Sequence, residues 1–145
     1  MFKHILVPAD GSIDSHRAIE KAVAVAQAFK CPVTAIYVID SYAFTGVGAD
    51  FAYGQSAYLS AATSEAEETL RVAKQTFEAA GVTVTTAVVE GHAVYRGILE
   101  TASQVGADLI VMGSHGRRGL EKLVLGSVTA QVLSHGHLPV LVVRD

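Results

Sequence analysis

The 145-residue sequence carries a formal net charge of −3, is 50% hydrophobic and 17% charged, and contains a single cysteine, Cys31. A lone cysteine excludes an internal disulfide, the apolar content is too high for a disordered chain, and no overall positive charge favours nucleic acid or an anionic membrane as a partner. We therefore expect one globular domain over residues 1–145, in which any anion site is local and Cys31 is a small buried residue.

The N-terminal segment FKHILVP lacks the charged region, apolar stretch and cleavage site of a secretory signal. No apolar run approaches the roughly 18 residues that a membrane-spanning helix needs. These features predict a cytoplasmic protein that does not insert into a membrane.

Short β-branched runs alternate with longer segments of helical period along the whole chain. The five predicted strands are HILVP (4–8), VTAIYVI (33–39), VTVTTAVV (82–89), ADLIVMG (107–113) and PVLVV (139–143). Several are apolar almost throughout, which is typical of strands buried on both faces of a parallel sheet.

The first two predicted helices are recognised by their termini. Ser12 is placed as the N-cap of a helix that carries Asp14 in its first turn. Before the third strand, Ser64 and Glu67 are spaced as a capping box, and Gly81 is placed to end that second helix.

Two further helices and one insert complete the prediction. The third helix has its apolar stripe from Val94 to Val105 and is closed by Gly106, and a shorter fourth helix spans about Ser127 to Leu133. Residues 41–57 are predicted to form a long irregular insert, which could be a lid, a partner surface or a flexible connection.

The alternation of strands and helices predicts an α/β fold: a doubly wound, five-stranded parallel sheet with helices on both faces. In such sheets, ligands bind outside the carboxyl ends of the strands, where the connections diverge to opposite faces. The loops after the first and fourth strands are therefore the candidate site.

The loop after the fourth strand, GSHGRRGLEKLVLGS (113–127), combines glycines with basic residues. Its glycines let the backbone approach an anion, and Gly126 and Ser127 open a helix whose free N–H groups favour phosphate. Arg117 could reach phosphates or point to water. The loop is neither a Walker motif nor a dinucleotide fingerprint, so its composition leaves a phosphate site and a glycine-rich turn both open.

The spacing of this loop resembles a family motif. Gly113 and Gly116, followed after nine residues by Gly126 and Ser127, match G-x2-G-x9-G-(S/T), the nucleotide-binding pattern of ATP-binding universal stress proteins. The resemblance covers the whole chain. HILVPADGSIDSHRAI is similar to the family's first strand and turn, AIYVID to its second strand, ADLIVMGSHGRRGL to its fourth, and GSVTAQVLSHGHLPVLVVR to its closing helix and strand.

The resemblance implies a set of nucleotide-binding residues. Asp10 would lie near the ribose or the metal-bound phosphates, Val38 would pack on adenine, and Ala9 departs from the larger residue often found there. The full candidate set, in which Met112, His115 and Arg117 are added to the positions that the resemblance implies, is Pro8, Ala9, Asp10, Val38, Met112, Gly113, His115, Gly116, Arg117, Gly126, Ser127 and Val128. Within it, Gly113 and Gly116 would approach the ribose and α-phosphate, and residues 126–128 would hold the outer phosphates.

The resemblance also implies a function and a Rossmann-like fold of the adenine nucleotide alpha hydrolase type. We expect a nucleotide-dependent regulatory module of the stress response that holds ATP, or AMP or ADP, with Mg²⁺ or Mn²⁺, and hydrolyses it slowly or not at all. Its partners would be an unidentified client or signalling protein and a second copy paired through PVLVV, an apolar edge strand that invites such pairing.

An enzyme is the alternative. Residues 10–15, DGSIDS, partly resemble the SGGxDS loop of ATP pyrophosphatases but lack its second adjacent glycine, and a slow ATPase is the other enzymatic possibility. His115 could contact phosphate, act as an acid or base, or be a solvated loop residue, since no partner carboxylate is evident. His135 and His137 have no third ligand, so no protein metal site is predicted. No catalytic residue is predicted either, because no nucleophile, base or arginine finger is evident on a second element.

Overall fold

The computed structural model describes residues 1–41, 48–115 and 125–144, and of residues 48–53 only the backbone. The elements in chain order are β1 (Ile5–Pro8), α1 (Ile13–Phe29), β2 (Val33–Asp40), α2 (Gly48–Ala79), β3 (Val84–Gly91), α3 (Val94–Val105), β4 (Leu109–Gly113), α4 (Ser127–His135) and β5 (Val140–Val143). The strands pair in parallel in the order β3-β2-β1-β4-β5. The predicted doubly wound parallel sheet is confirmed.

The sheet separates two apolar cores. Ile5 and Val7 point into the core beneath α1 and α2, whereas Leu6 between them points into the core beneath α3 and α4. All three side chains are fully buried. Burial on both faces is the reason that this strand is apolar at successive positions rather than at alternate ones.

Two of the predicted helix termini are present. The Ser12 side chain accepts a hydrogen bond from the Ser15 N–H at 3.1 Å, which caps α1. Gly106 closes α3 in the left-handed conformation, with φ at 71°, which only a residue without a Cβ adopts at little cost.

The predicted start of the second helix is wrong. Residues 48–57, expected to be irregular, belong to the 32-residue helix α2, so Ser64 is a mid-helix residue and not a cap. Tyr58 and Leu59 pack against the core beneath α1 and α2, and the Tyr58 hydroxyl donates to the Asp40 carbonyl at 3.2 Å. This packing holds the helix immediately after the segment whose glycines indicated a loop, and tertiary contacts of this kind can outweigh local propensity. Residues 42–47 of the insert lie outside the described residues.

The third strand also begins later than predicted. Val82 donates its N–H to the Phe77 carbonyl at 2.9 Å and so belongs to the turn that ends α2, in which Gly81 has φ at 76°. Cys31 is buried, as predicted, and burial raises the pKa of its thiol. Within the described part of the chain, no helix is both long and apolar enough to cross a membrane.

Candidate functional site

Two loops meet at one edge of the sheet. β1 ends at Pro8 and β4 ends at Gly113, and because these strands are parallel neighbours, the residues that follow them emerge side by side. The connection after β1 goes to α1 on one face, and the connection after β4 goes to α4 on the other. This is the divergence point where open α/β sheets bind ligands.

The turn after β1 is held by its own hydrogen bonds. Ala9 is buried and donates its N–H to the Ile36 carbonyl at 2.7 Å. The Asp10 carboxylate accepts from the Ser12 N–H at 2.9 Å, and the Asp10 N–H donates to the Ser15 hydroxyl at 3.2 Å. Asp10 therefore stabilises the turn, and a half-buried carboxylate stands at the carboxyl end of β1.

The end of β4 lies directly against the first turn of α1. A Cβ at position 113 would lie 2.7 Å from the Asp14 Cβ and 2.9 Å from the Asp14 carbonyl carbon. Only glycine allows this approach. Gly113 is thus required by packing between β4 and α1, whatever it contributes to a ligand.

The Asp14 carboxylate binds the residues that follow Gly113. Its Oδ2 accepts from the Ser114 hydroxyl at 3.0 Å and from the His115 N–H at 3.1 Å. The His115 Nδ1 lies 3.1 Å from the Ser114 Oγ and 3.7 Å from the same Asp14 oxygen. His115 therefore has the neighbouring carboxylate that its sequence context did not reveal, contributed by a residue recognised in the sequence only as a first-turn acid.

The start of α4 is docked onto the same loop. Gly126 donates its N–H to the Ser114 carbonyl at 2.8 Å, and the Thr129 hydroxyl donates to the Gly113 carbonyl at 2.9 Å. Gly126 is the N-cap residue, and no side chain of the described residues caps the helix. The N-terminus of α4 is consequently held beside the carboxyl end of β4, with Ser127 exposed and Val128 half-buried.

Apolar residues lie beneath these two loops on the α3 and α4 face. Val38 is half-buried, and a Cβ at Gly97 of α3 would lie 2.7 Å from its Cγ1. Met112 is only 5% exposed and packs in the same core, so its side chain supports the site from below. Pro8, at the end of β1, is half-buried. The remaining predicted site residues, Gly116 and Arg117, lie outside the described residues.

Among the side chains that the structure describes, no three His, Cys, Asp or Glu residues are grouped as metal ligands. His135, one of the two C-terminal histidines, instead stacks on Tyr95 with ring centroids 4.9 Å apart. This contact gives His135 a packing role at the end of α4.

The model of the universal stress protein family matches residues 1–144 of the chain. The chain belongs to the universal stress protein family. A universal stress protein of Methanocaldococcus jannaschii is 39% identical over 144 residues, covering 99% of this chain and 83% of that protein. Another M. jannaschii protein of this family, solved as a structural genomics test case, superposes with a TM-score of 0.87 at 30% identity, covering 100% of this chain and 97% of the other.

One structural relative carries a nucleotide. This universal stress protein, solved in complex with cAMP, superposes with a TM-score of 0.69 at 26% identity, covering 99% of this chain and 97% of that one. The family-model match establishes the family of the present chain, and the superpositions agree with its fold.

Proposed function

We propose that this universal stress protein binds an adenine nucleotide, and ATP in preference, between the loops that follow β1 and β4. The observation that carries the proposal is the docking of the α4 N-terminus onto residues 113–115. It presents the start of a nine-residue helix, without a side-chain cap from the described residues, at the divergence point of the sheet.

The phosphates are assigned to the α4 side of the proposed site. The first N–H groups of a helix have no partner within the helix, and together with the helix dipole they favour a bound anion. Ser127 is the first residue of α4 and is exposed, so its hydroxyl can add a donor. A local site of this kind fits a chain whose net charge of −3 offers no general attraction for anions.

The nucleoside is assigned to the β1 and β2 side. Pro8 and Val38 supply half-buried apolar surface for the base, and the Asp10 carboxylate can accept a hydrogen bond from a ribose hydroxyl. Gly116, a fixed position of the family motif, and Arg117, which follows it, complete the proposed set. We propose that Mg²⁺ or Mn²⁺ enters with the phosphates and offsets their charge.

The relatives favour adenine nucleotides as the ligand class. The cAMP complex carries an adenine, a ribose and one phosphate in a protein of the same family. The preference for ATP over AMP or ADP rests on the G-x2-G-x9-G-S spacing of residues 113–127, which extends the glycine-rich loop to the start of α4.

We further propose a regulatory role rather than rapid turnover, acting in the cytoplasm and in the stress response through a client protein. The second candidate is an enzyme that cleaves ATP, of the ATP pyrophosphatase or slow ATPase kind. It is favoured by one observation, the placement of the His115 ring beside Asp14 and Ser114. Sustained release of ADP or AMP over many turnovers, lost in His115→Ala, would favour the enzyme.

A homodimer formed through β5 is also proposed. The carbonyls of Pro139 and Val143 accept hydrogen bonds from the N–H groups of Ile110 in β4 and of Ser114, which follows β4. The backbone groups of residues 140 and 142 therefore point to the open edge of the sheet. Leu141 is 39% exposed on this strand. An unpaired apolar edge of this kind can be completed by a second copy.

The test begins with the purified protein, which is denatured so that any released nucleotide can be identified by chromatography. Calorimetric titration with ATP, ADP and AMP, with and without Mg²⁺, then measures affinity. Ser127→Ala should weaken ATP binding at least about 10-fold, since a hydrogen bond to a charged group contributes about 1.5–3 kcal/mol. Ser134→Ala, an exposed serine at the other end of α4, is the matched control and should bind as the parent does. Absence of adenine nucleotide binding by the parent would refute the proposal.

A further inference from the structure

Asp14 contacts Gly113, Ser114 and His115 of the candidate site, although it is not itself one of the predicted binding residues. It lies in the first turn of α1, its side chain is 13% exposed, and it contacts Ser114 and His115 across a separation of at least 100 residues. A half-buried carboxylate beside a proposed phosphate site needs a physical reason, because its charge opposes that of the ligand.

Its hydrogen bonds supply that reason. The Asp14 Oδ2 accepts from both the Ser114 hydroxyl and the His115 backbone N–H, and its Oδ1 lies 4.0 Å from the Arg17 guanidinium. Two donors on one carboxylate oxygen fix the first two residues after β4.

The effect continues into α4. The carbonyl of Ser114, whose hydroxyl binds Asp14, accepts the N–H of Gly126, the N-cap of α4. The contact of Asp14 with Gly113 is close enough to exclude a Cβ there. The first turn of α1 therefore determines where the loop after β4 begins, and this loop in turn holds the N-terminus of α4.

We propose that Asp14 is a positioning residue for the phosphates of the bound nucleotide. It acts through Ser114 and His115, whose placement sets the position of the α4 N-terminus, and it does not touch the nucleotide. This inference rests on the proposed function. Its contribution comes from the acceptor geometry of the side chain, and the negative charge is unfavourable for the ligand.

The experiment compares three substitutions at one position with a control. Asp14→Ala removes the acceptor, Asp14→Asn keeps an acceptor oxygen at the same reach without the charge, and Asp14→Glu keeps the charge but moves the oxygen by one methylene. Glu20→Ala removes a negative charge from an exposed position of the same helix and is the matched control. Each protein is titrated with ATP and with adenosine, and adenosine reports binding that does not depend on phosphate.

We expect Asp14→Ala and Asp14→Glu to weaken ATP binding about 10-fold or more, the range typical of residues that orient a ligand group indirectly. Asp14→Asn should stay within about 3-fold of the parent, because an amide oxygen can still accept from His115 and Ser114. Adenosine affinity should change less than about 2-fold in all of them, and Glu20→Ala should match the parent. A purely structural role would reduce ATP and adenosine affinity together.

Several outcomes would overturn the inference. Tighter ATP binding in both Asp14→Ala and Asp14→Asn would mean that only the charge matters, and equal losses for ATP and adenosine would mean general damage. If Asp14→Ala does not fold, the ATP affinities of Asp14→Asn and Asp14→Glu are compared instead. Weaker ATP binding by Asp14→Asn than by Asp14→Glu would refute the positioning role. Failure of the parent to bind ATP would instead refute the proposed function itself.

Discussion

The backbone N–H of Gly126 donates to the carbonyl oxygen of Ser114 at 2.8 Å, and a Cβ at position 126 would lie 2.8 Å from that same oxygen. The hydrogen bond brings the two backbones so close that a side chain at position 126 would collide with the acceptor oxygen. Glycine is required here by the contact between α4 and the loop after β4, before any nucleotide is considered.

Gly126→Ala is expected to destabilise the folded protein by about 1–3 kcal/mol, the usual range for forcing an added group into a close-packed contact. Denaturant unfolding monitored by circular dichroism measures this. Gly91→Ala is the control, because its Cβ would meet nothing closer than 3.6 Å. Equal stability of the two variants would show that the close contact at Gly126 is relieved at no cost.

Because Gly126→Ala is expected to lower stability, a loss of ATP binding in this variant does not by itself identify a phosphate contact. Ser127→Ala is the more specific test.

Gly97→Ala should destabilise the protein and disturb the proposed base-binding surface. The new Cβ would lie 2.7 Å from Cγ1 of Val38, which packs against α3 from β2. We expect a loss of about 1–3 kcal/mol in the free energy of unfolding and a weaker affinity for adenosine. The double variant Gly97→Ala, Val38→Ala removes the clash. It should be destabilised by less than the sum of the two single changes, as expected for residues in contact. Additive losses would contradict this packing.

Asp108 should stabilise the protein at neutral pH and lose this effect in acid. Its carboxylate accepts from the backbone N–H groups of Lys3, at 3.1 and 3.0 Å, and of His4, at 3.0 Å, which ties the chain before β1 to the start of β4. Burial raises the pKa of Asp108, but the hydrogen bonds from His4 and Lys3 outweigh burial and leave the pKa below its ordinary value. The folded state therefore favours the ionised form.

Such a lowered pKa contributes stability above the pKa of the unfolded chain, about 3.9, which is lost as the pH falls through the folded-state value. Asp108→Asn should therefore be less stable than the parent at pH 7, and the difference should shrink below about pH 4. Urea unfolding at a series of pH values measures it. Glu78→Gln, at an exposed position of α2, serves as the control and should follow the parent. A difference that grows in acid would contradict the assignment.

Local features were predictable where neighbouring residues determine them. The uninterrupted burial of Ile5, Leu6 and Val7 follows from a parallel strand that is covered on both faces, and the Ser12 cap follows from a side chain that reaches its own helix. The order of elements also located the candidate site, since the divergence of connections after β1 and β4 depends on topology alone.

Long-range contacts were not predictable in the same way. The hydrogen bond from His115 to Asp14 joins residues 101 positions apart and requires β1 and β4 to be neighbours. Helix α2 includes residues 48–57 and continues into Tyr58 and Leu59, which pack against the core beneath α1 and α2. The low helix propensity of glycine indicated a loop there, and local propensity carries no information about packing in the folded protein.

Dimerisation through β5 predicts that Val142→Pro yields a monomer. Residues 139 and 143 direct their carbonyls towards β4, so the N–H of Val142 faces the open edge of the sheet. Replacing Val142 by proline therefore removes an N–H that makes no hydrogen bond to β4. The same substitution would remove a donor from a paired second copy. Sedimentation of the parent and the variant measures the change in mass.

Val88→Pro on the opposite edge of the sheet is the matched control. Thr83 and Gly91 accept hydrogen bonds from residues 33 and 41 at the two ends of the β2–β3 ladder, so the odd-numbered residues of β3 face β2. Val88 is even-numbered, and its N–H therefore points outward. Both substitutions place proline at an edge position that a sheet tolerates, and the folding cost of each should be similar. A dimeric Val88→Pro beside a monomeric Val142→Pro would assign the interface to β5, whereas the reverse result would assign it to β3. A dimer that survives both changes would exclude pairing through either strand edge as its basis.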